Sequence, residues 1–459
     1  MGLGALVAVG PQTWPALAAG NRYVATTGSD GGNDCSNPGS PCATIQHAIS
    51  QSASGDVINL GPGKYVENVT VNQNVTIQGG PTTGSTVDGN QTGSVFTVND
   101  TITATLSMLT ITNGNAGDAA GNQGGGIQNN GTLTVVQSTI NGNTATTGES
   151  TGLGGGIFNH FSAALTVINS TISGNSATAG GIGGGICNQN AITVINSTIS
   201  GNSATASGFG GGLFNVEGAT ATLVNVTING NTAGPGRGGG LTNAPFGTLN
   251  FTNTIISSSS AGSGDCVNFG AIGTNSHNLV QDGGCSPAVS GNPKLGPLQN
   301  NGGPTFTHAL MAGSPAIDAG DDAILGSPNF LTTEQRGPGF PRKANLHVDI
   351  GAFEFQGPIF NTCLKDNSSG NLLQWNSVTG QYKFTRCSDG FMITGTGVVK
   401  LVNGIQTLTD FKSDRRISAG LNTGQLTGNA TIYLQVAAGV WQSLQIVATN
   451  PSATCSCGP

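Results

Sequence analysis

Eight ionisable residues crowd into one short stretch near the end of the first 356 residues. They are Asp318, Asp321, Asp322, Glu334, Arg336, Arg342, Asp349 and Glu354. A carboxylate cluster of this kind can hold calcium, with Asp318 and Asp349 as the candidate ligands. It can also do structural work, because Asp318 or Asp349 paired with Arg336 would tie a buried edge through a bidentate salt bridge. The structural reading is favoured here. Between Asp118 and Asp265 the only charged residues are Glu149, Glu217 and Arg237. Glycosidic hydrolysis needs two or three carboxylates a few ångströms apart. Eliminative cleavage needs a basic side chain beside acidic metal ligands. These three charges fall at different points of a repeating unit, so no catalytic pair is expected among them. His160 could act as a base, but the neighbouring units offer no acid partner. Phe158, His160, Phe161 and Phe214 instead form a candidate ligand-binding set, since aromatic rings stack on sugars or on a partner's apolar surface.

The elements that position these residues follow from an internal repeat. Glycine triplets start at Gly124, Gly154, Gly183, Gly210 and Gly238, at spacings of 30, 29, 27 and 28. A period in that range signals a solenoid. Each unit has apolar residues at period two, as in TVINSTIS, so it is built from short strands. Three apolar columns recur, headed by Ile127, Val135 and Ile140. They predict three strands per coil, each pointing one residue inward. Three columns of Asn or Gln, headed by Asn129, Gln137 and Asn143, are expected to form amide ladders between coils. A column of Thr139, Thr171, Thr198 and Thr227 is expected to face solvent, where a regular threonine array can also bind ice. The residue after the first apolar column varies: Gln128, Phe158, Cys187, Phe214, Thr242. It is either a satellite core or a binding face. The sequons at Asn169 and Asn196 are already explained by the ladders.

Composition narrows the function classes. Charged residues are 8% of the 459, against about 25% in ordinary soluble domains. The net charge is 14 − 21 = −7 with no basic run, which argues against nucleic acid and acidic membrane surfaces as partners. No apolar run after the N-terminus is long enough to cross a bilayer. Residues 1–20 resemble an export signal that lacks its positive start. The nine cysteines cluster in loops, as disulfides in an oxidising compartment do. Cys35 with Cys42 and Cys266 with Cys285 enclose short irregular loops. Cys363, Cys387, Cys455 and Cys457 fall in the last hundred residues, with their pairing open. Cys187 is left over as a free thiol.

The stretch GDVINLGPGKYVENVTVNQNVTIQGG resembles the opening coils of pectin-lyase-like right-handed parallel β-helices. The repeat GGGIxN…LTVxNSTISGN resembles bacterial surface β-helix proteins, including polymorphic outer-membrane protein repeats. NPKLGPLQNNGGPTFTHALMAGSPAIDAGD, EQRGPGFPR and VDIGAFE resemble the closing segment of the choice-of-anchor Q group. The resemblance covers about Tyr23 to Phe355. It implies an exported or cell-surface bacterial β-helix with a variable anchoring tail, whose closing motifs seal the helix end.

The expectation is an all-β chain. Residues 21–290 form the three-strand-coil β-helix, and 291–356 close it. SPCATIQHAISQSA forms an N-terminal cap helix, with Ser40 as N-cap and Pro41 as first helical residue. Residues 357–459 form a small disulfide-bonded β-sandwich or barrel. The expected function is a non-enzymatic monomer that presents an extended face for adhesion, glycan binding or display, with a polysaccharide or a host or neighbouring cell surface as partner. A polysaccharide lyase or hydrolase with an unrecognised site is the alternative, and a surface spacer is the third. No cofactor beyond calcium is expected.

Overall fold

The computed structural model describes residues 20–356, apart from 81–83, 118–122, 147–151, 206, 260–263, 312, 328–329 and 345–346, together with strand segments between 362 and 448. The chain divides into two units, Met1–Phe355 and Gln356–Pro459. The export-like segment 1–19, Glu149, Cys455, Cys457 and the Cys363 side chain lie outside the described residues.

The first unit is a parallel β-solenoid. One coil shows its plan. Ile186–Asn188 belongs to sheet 1, Ala191–Ile195 to sheet 2, Thr198–Ser200 to sheet 3 and Ser203–Ala204 to sheet 4. Sheet 1 has eight strands, sheets 2 and 3 have ten each, and sheet 4 has four. Every strand pairs in parallel with the same strand of the next coil, as Val167 with Val194 and Ile172 with Ile199. The expectation of three strands per coil therefore needs correction. Four consecutive coils carry a two-residue fourth strand: Asn115–Ala116, Thr144–Ala145, Ser176–Ala177 and Ser203–Ala204. Two residues are too short for the period-two pattern to announce a strand.

The three apolar columns fill the bore. The Ile127, Val135 and Ile140 columns are buried through every repeat, in one core from Val24 to Val280. Two amide columns form ladders. Asn129, Asn159, Asn188, Asn215 and Asn243 each donate Nδ2 to the Oδ1 of the next, at 2.7 to 2.8 Å. Asn143, Asn175 and Asn202 donate in the same way to Asn175, Asn202 and Asn231 at 2.9 to 3.0 Å. Each buried amide thus satisfies its neighbour. The third column is not a continuous ladder. Gln137, Asn169, Asn196, Asn225 and Asn253 all adopt positive φ at the sheet 2 to sheet 3 corner, and only Asn225 reaches Asn196. Asn is chosen there for its tolerance of left-handed backbone. The triplet glycines are required for similar reasons. Gly183 has φ +66°, and a Cβ on Gly184 would meet the Ser203 carbonyl oxygen at 2.4 Å.

Helix α1, Ile45–Ser50, buries Ile45, Ala48 and Ile49 in the solenoid core. Its N-cap is Thr44, not Ser40. The Cys42 amide donates to the Tyr23 carbonyl, and Cys42 is joined to Cys35. These ties hold residues 40–42 against the first strand, so the helix starts later. The Glu67 carboxylate accepts the Ile45 and Gln46 amides, which suits the positive end of the helix.

The motif-rich stretch from Asn292 to Phe355 does not simply seal the end. It contains an antiparallel pair, Leu295–Gln299 with Thr307–Leu310, and it runs along the outer side of sheet 3 as a strap. Leu310, Ala316, Ile350 and Phe353 pack on Ile255 and Leu279. Ile324, Leu331 and Val348 pack on Ile195 and Val224 at the neighbouring corner.

The second unit holds two antiparallel sheets. Thr362–Lys365, Leu372–Trp375, Gln381–Arg386 and Phe391–Thr396 form one. Val398–Val402, Ile405–Phe411, Arg415–Asn422, Thr427–Ala437 and Val440–Ala448 form the other. Tyr382 and Phe384 are buried, and the Tyr382 hydroxyl donates to Asp410. Cys387 is disulfide-bonded.

Candidate functional site

The acidic cluster of the closing motifs is internal scaffolding. Arg342 is fully buried. Its Nη2 donates to Glu354 Oε2 at 2.7 Å and its Nη1 to the Gly351 carbonyl at 2.9 Å. Arg336 donates through Nε to Glu334. Its guanidinium lies 3.9 Å from the ring centres of both Phe340 and Phe353, a cation held between two aromatic faces. The expected pairing of Asp318 or Asp349 with Arg336 is replaced by these two pairs. Asp349 spends its carboxylate on backbone donors, the amides of Asp318 and Phe355. Asp318 accepts the His347 amide. Both carboxylates thus accept backbone amides of the strap itself. Among the described residues the only three-ligand grouping is Cys35, Cys42 and His47, and its two sulfurs are bonded to each other.

Burial dominates the titration of this cluster. It pushes Glu334 and Glu354 above the usual carboxylate range, against the pull of their arginines. Burial and the nearby Glu354 charge push Asp349 up to about 7. Burial lowers His308, whose Nε2 lies 2.8 Å from Ser200 Oγ and whose Nδ1 faces the Gly296 carbonyl.

The strap docks through residues whose roles sequence reasoning missed. Gln335, the middle of EQR, reaches across to sheet 3. Its Nε2 donates to Thr171 Oγ1 at 3.0 Å, and its Oε1 accepts from Thr198 Oγ1 at 2.6 Å. Thr227 Oγ1 accepts the Ala352 amide, and Asn196 Nδ2 donates to the Thr333 carbonyl. The threonine column expected to face solvent is therefore covered. Thr171, Thr198 and Thr227 are buried, which removes them as an ice-binding array. The sequon asparagine Asn196 is buried too. The signal was present in the quoted motifs, but only the fold shows which partner each motif meets.

The aromatic candidates separate. Phe158 is buried, as are Cys187 and Thr242 of the same column. Phe214 is half-buried, with its ring 5.9 Å from Phe209. Arg237 lies over Phe209. The loops leading into the triplets thus cover this column as a satellite core, and burial pushes the Cys187 thiol far above its usual range. Phe158 is accordingly withdrawn as a ligand contact. Phe161 behaves differently. It stands in the turn from sheet 1 to sheet 2 and is 68% exposed. His160 lies beside it, ring centres 3.9 Å apart, with its Nδ1 near Ser162 Oγ. The equivalent turns of two later coils carry Phe246, 80% exposed, and Phe269, 55% exposed. Exposed Glu217 occupies the same turn of an intervening coil. Phe246 and Phe269 are not legible as members of this edge in the sequence, because these turns vary in length and drop out of the repeat alignment.

No protein-family model matches the chain, and no curated protein matches it. Among solved structures, one described as the complex structure of XylC with xylose overlaps 61% of this chain and 88% of its own, at 10% sequence identity and a TM-score of 0.28. The class is defined by the chain's own topology, a parallel β-solenoid with a lateral strap. Cys35–Cys42 and Cys266–Cys285 are disulfides, and Cys187 is a buried free thiol.

Proposed function

We propose that this chain is an exported or cell-surface solenoid that binds glycans without cleaving them, through the turn edge between sheets 1 and 2. The carrying observation is the row of exposed rings Phe161, Phe246 and Phe269 on that one edge. Isolated exposed apolar residues are ordinary, but rings aligned on one edge of a rigid scaffold suit sugar stacking. Stacked coils set these turns at a fixed pitch of about 4.8 Å per coil. Disulfides in the first unit support export. The buried carboxylates of the closing motifs, Glu334, Asp349 and Glu354, are spent on holding the strap, which supports a non-catalytic reading. Helix α1 shields the first coil, in the manner of a cap.

The test is a panel of neutral and acidic polysaccharides offered to the full chain and to Phe161→Ala/Phe246→Ala. Binding by the native chain and its loss in the variant, with melting unchanged, is the expected result. Equal binding by both, or cleavage of any polymer, rejects the reading.

A further inference from the structure

Next to the aromatic edge lies a surface that no motif singled out. The outward side chains of sheet 2 form three columns; the one nearest sheet 3, with Val136, Ile168, Ile195 and Val224, meets the strap at Ile195 and Val224, and the other two lie beyond it. One runs Thr76, Thr105, Thr134, Thr166, Thr193, Thr222, Asn250, Thr274. The other, two residues earlier in each strand and three in the bulged last one, runs Thr103, Thr132, Ala164, Ala191, Thr220, Thr248, Ala271. The strap leaves both columns exposed or half-buried. None of these threonine hydroxyls bonds to another group among the described residues. From Thr76–Gly79 to Ala271–Ser276 the strands of sheet 2 contain no charged residue.

Such a face is unusual for a solvated strand surface, which ordinarily carries Lys and Glu. β-Branched threonine has few rotamers, so its hydroxyls are held in fixed positions. They repeat at about 4.8 Å from coil to coil and about 6.6 Å along each strand. The coil pitch is close to the length of one sugar unit in an extended chain. The column through Thr132 and Ala164 starts immediately after the turn that carries Phe161, so rings and hydroxyls form one platform.

We infer that this platform takes a neutral, extended polysaccharide laid along the solenoid axis. The rings of Phe161, Phe246 and Phe269 would cover sugar faces, and the free threonine hydroxyls would exchange hydrogen bonds with sugar hydroxyls. Charge selects the class. From Asn130 to Gly270 the turns of this edge carry one formal charge, the carboxylate of Glu217, and no cation. A uronic-acid polymer finds no counter-charge there and meets a repulsive one. This inference rests on the glycan-binding reading and names its ligand class.

The test uses the full chain in pull-down and affinity electrophoresis. The probes are uncharged glucan, xylan, mannan and chitin, with polygalacturonate as the acidic probe. The variants are Thr134→Lys/Thr193→Lys and Phe161→Ala/Phe246→Ala, each checked by circular dichroism melting. Binding to at least one neutral polymer, none to polygalacturonate, and a loss of about tenfold in either variant is expected. Binding to polygalacturonate as tight as to any neutral polymer overturns the ligand class and leaves the glycan reading standing. Unchanged binding by the lysine variant overturns the platform alone. No binding to any probe overturns both.

Discussion

Sheets 2 and 3 of the same coils each present a threonine column, and the two meet opposite fates. On sheet 3, Thr171, Thr198 and Thr227 are buried beneath the strap, bonded to the Phe306 carbonyl, to Gln335 and to the Ala352 amide respectively. On sheet 2, Thr134, Thr166, Thr193 and Thr222 carry hydroxyls with no partner among the described residues, half-buried beyond the strap, which reaches this sheet only at Ile195 and Val224. Both columns occur within TVINSTIS-type strands of identical local character. Period two decides which side chains point out of the bore. It does not decide what lies over the outside. That is decided some 140 residues away, by motifs that supply a buried glutamine and two buried arginine–carboxylate pairs.

The comparison breaks most visibly if the strap is cut loose. Arg342→Ala leaves Glu354 buried without its cation, and breaking such a pair costs about 3–5 kcal/mol. Denaturant unfolding should show that loss. Limited proteolysis should begin between residues 292 and 355 while the coils stay resistant. Resistance equal to the native chain would show that the strap does not depend on this pair.

A second expectation sets the two columns directly against each other. Thr198→Lys forces a charge under the strap and should cost about 3 kcal/mol or more. Thr193→Lys, in the uncovered column of the preceding strand, should stay within about 0.5 kcal/mol. Thermal melting of the two variants distinguishes them, and equal costs would erase the difference between the faces. Gln335→Ala is milder. It leaves the Thr198 hydroxyl without its acceptor, while Thr171 keeps the Phe306 carbonyl, a loss of about 1–3 kcal/mol, read from the same denaturation curves.

The smallest effect is a pH dependence confined to the strap. Burial and the Glu354 charge push Asp349 up to about 7 in the folded chain, from the 3.8 of an ordinary aspartate. The folded chain keeps a proton that the unfolded chain has released, so this contribution is complete at low pH and is lost as pH rises through 7. His308 has the opposite sign. Its folded pKa is lowered below 6.5, so its contribution is present above 6.5 and fades as pH falls. Between pH 6.5 and 8 only the carboxylate slope remains. Hydrogen-exchange protection of the Gly320 and Ile350 amides, corrected for intrinsic rate, should fall over that interval. Amides of sheet 2 should hold steady, and His308→Gln should leave the fall intact.

Much of the first unit could be read from residue order. The triplet spacing, the Ile127, Val135 and Ile140 columns and two amide ladders follow from local repetition, each with a partner one coil away, and the two disulfides close short loops and leave Cys187 free. What could not be read depends on distant partners. Gln335 meets Thr198, and Asn196 meets Thr333. Phe158 and Phe161, three residues apart in the chain, divide into buried and exposed because a strand ends between them. The two-residue strands of sheet 4 were too short to show a period.

The central claim is that the threonine column of sheet 3 is covered by the strap and the threonine columns of sheet 2 are not, and thiol labelling measures this most directly. Thr198→Cys and Thr132→Cys place single probes on sheets 3 and 2 of the same fold, with buried Cys187 as the slow internal reference. The account predicts that Cys at 132 reacts with a soluble maleimide at the rate of a free thiol, while Cys at 198 reacts at least about 100-fold more slowly, its access governed by local opening of the strap. Comparable rates at the two positions would contradict it.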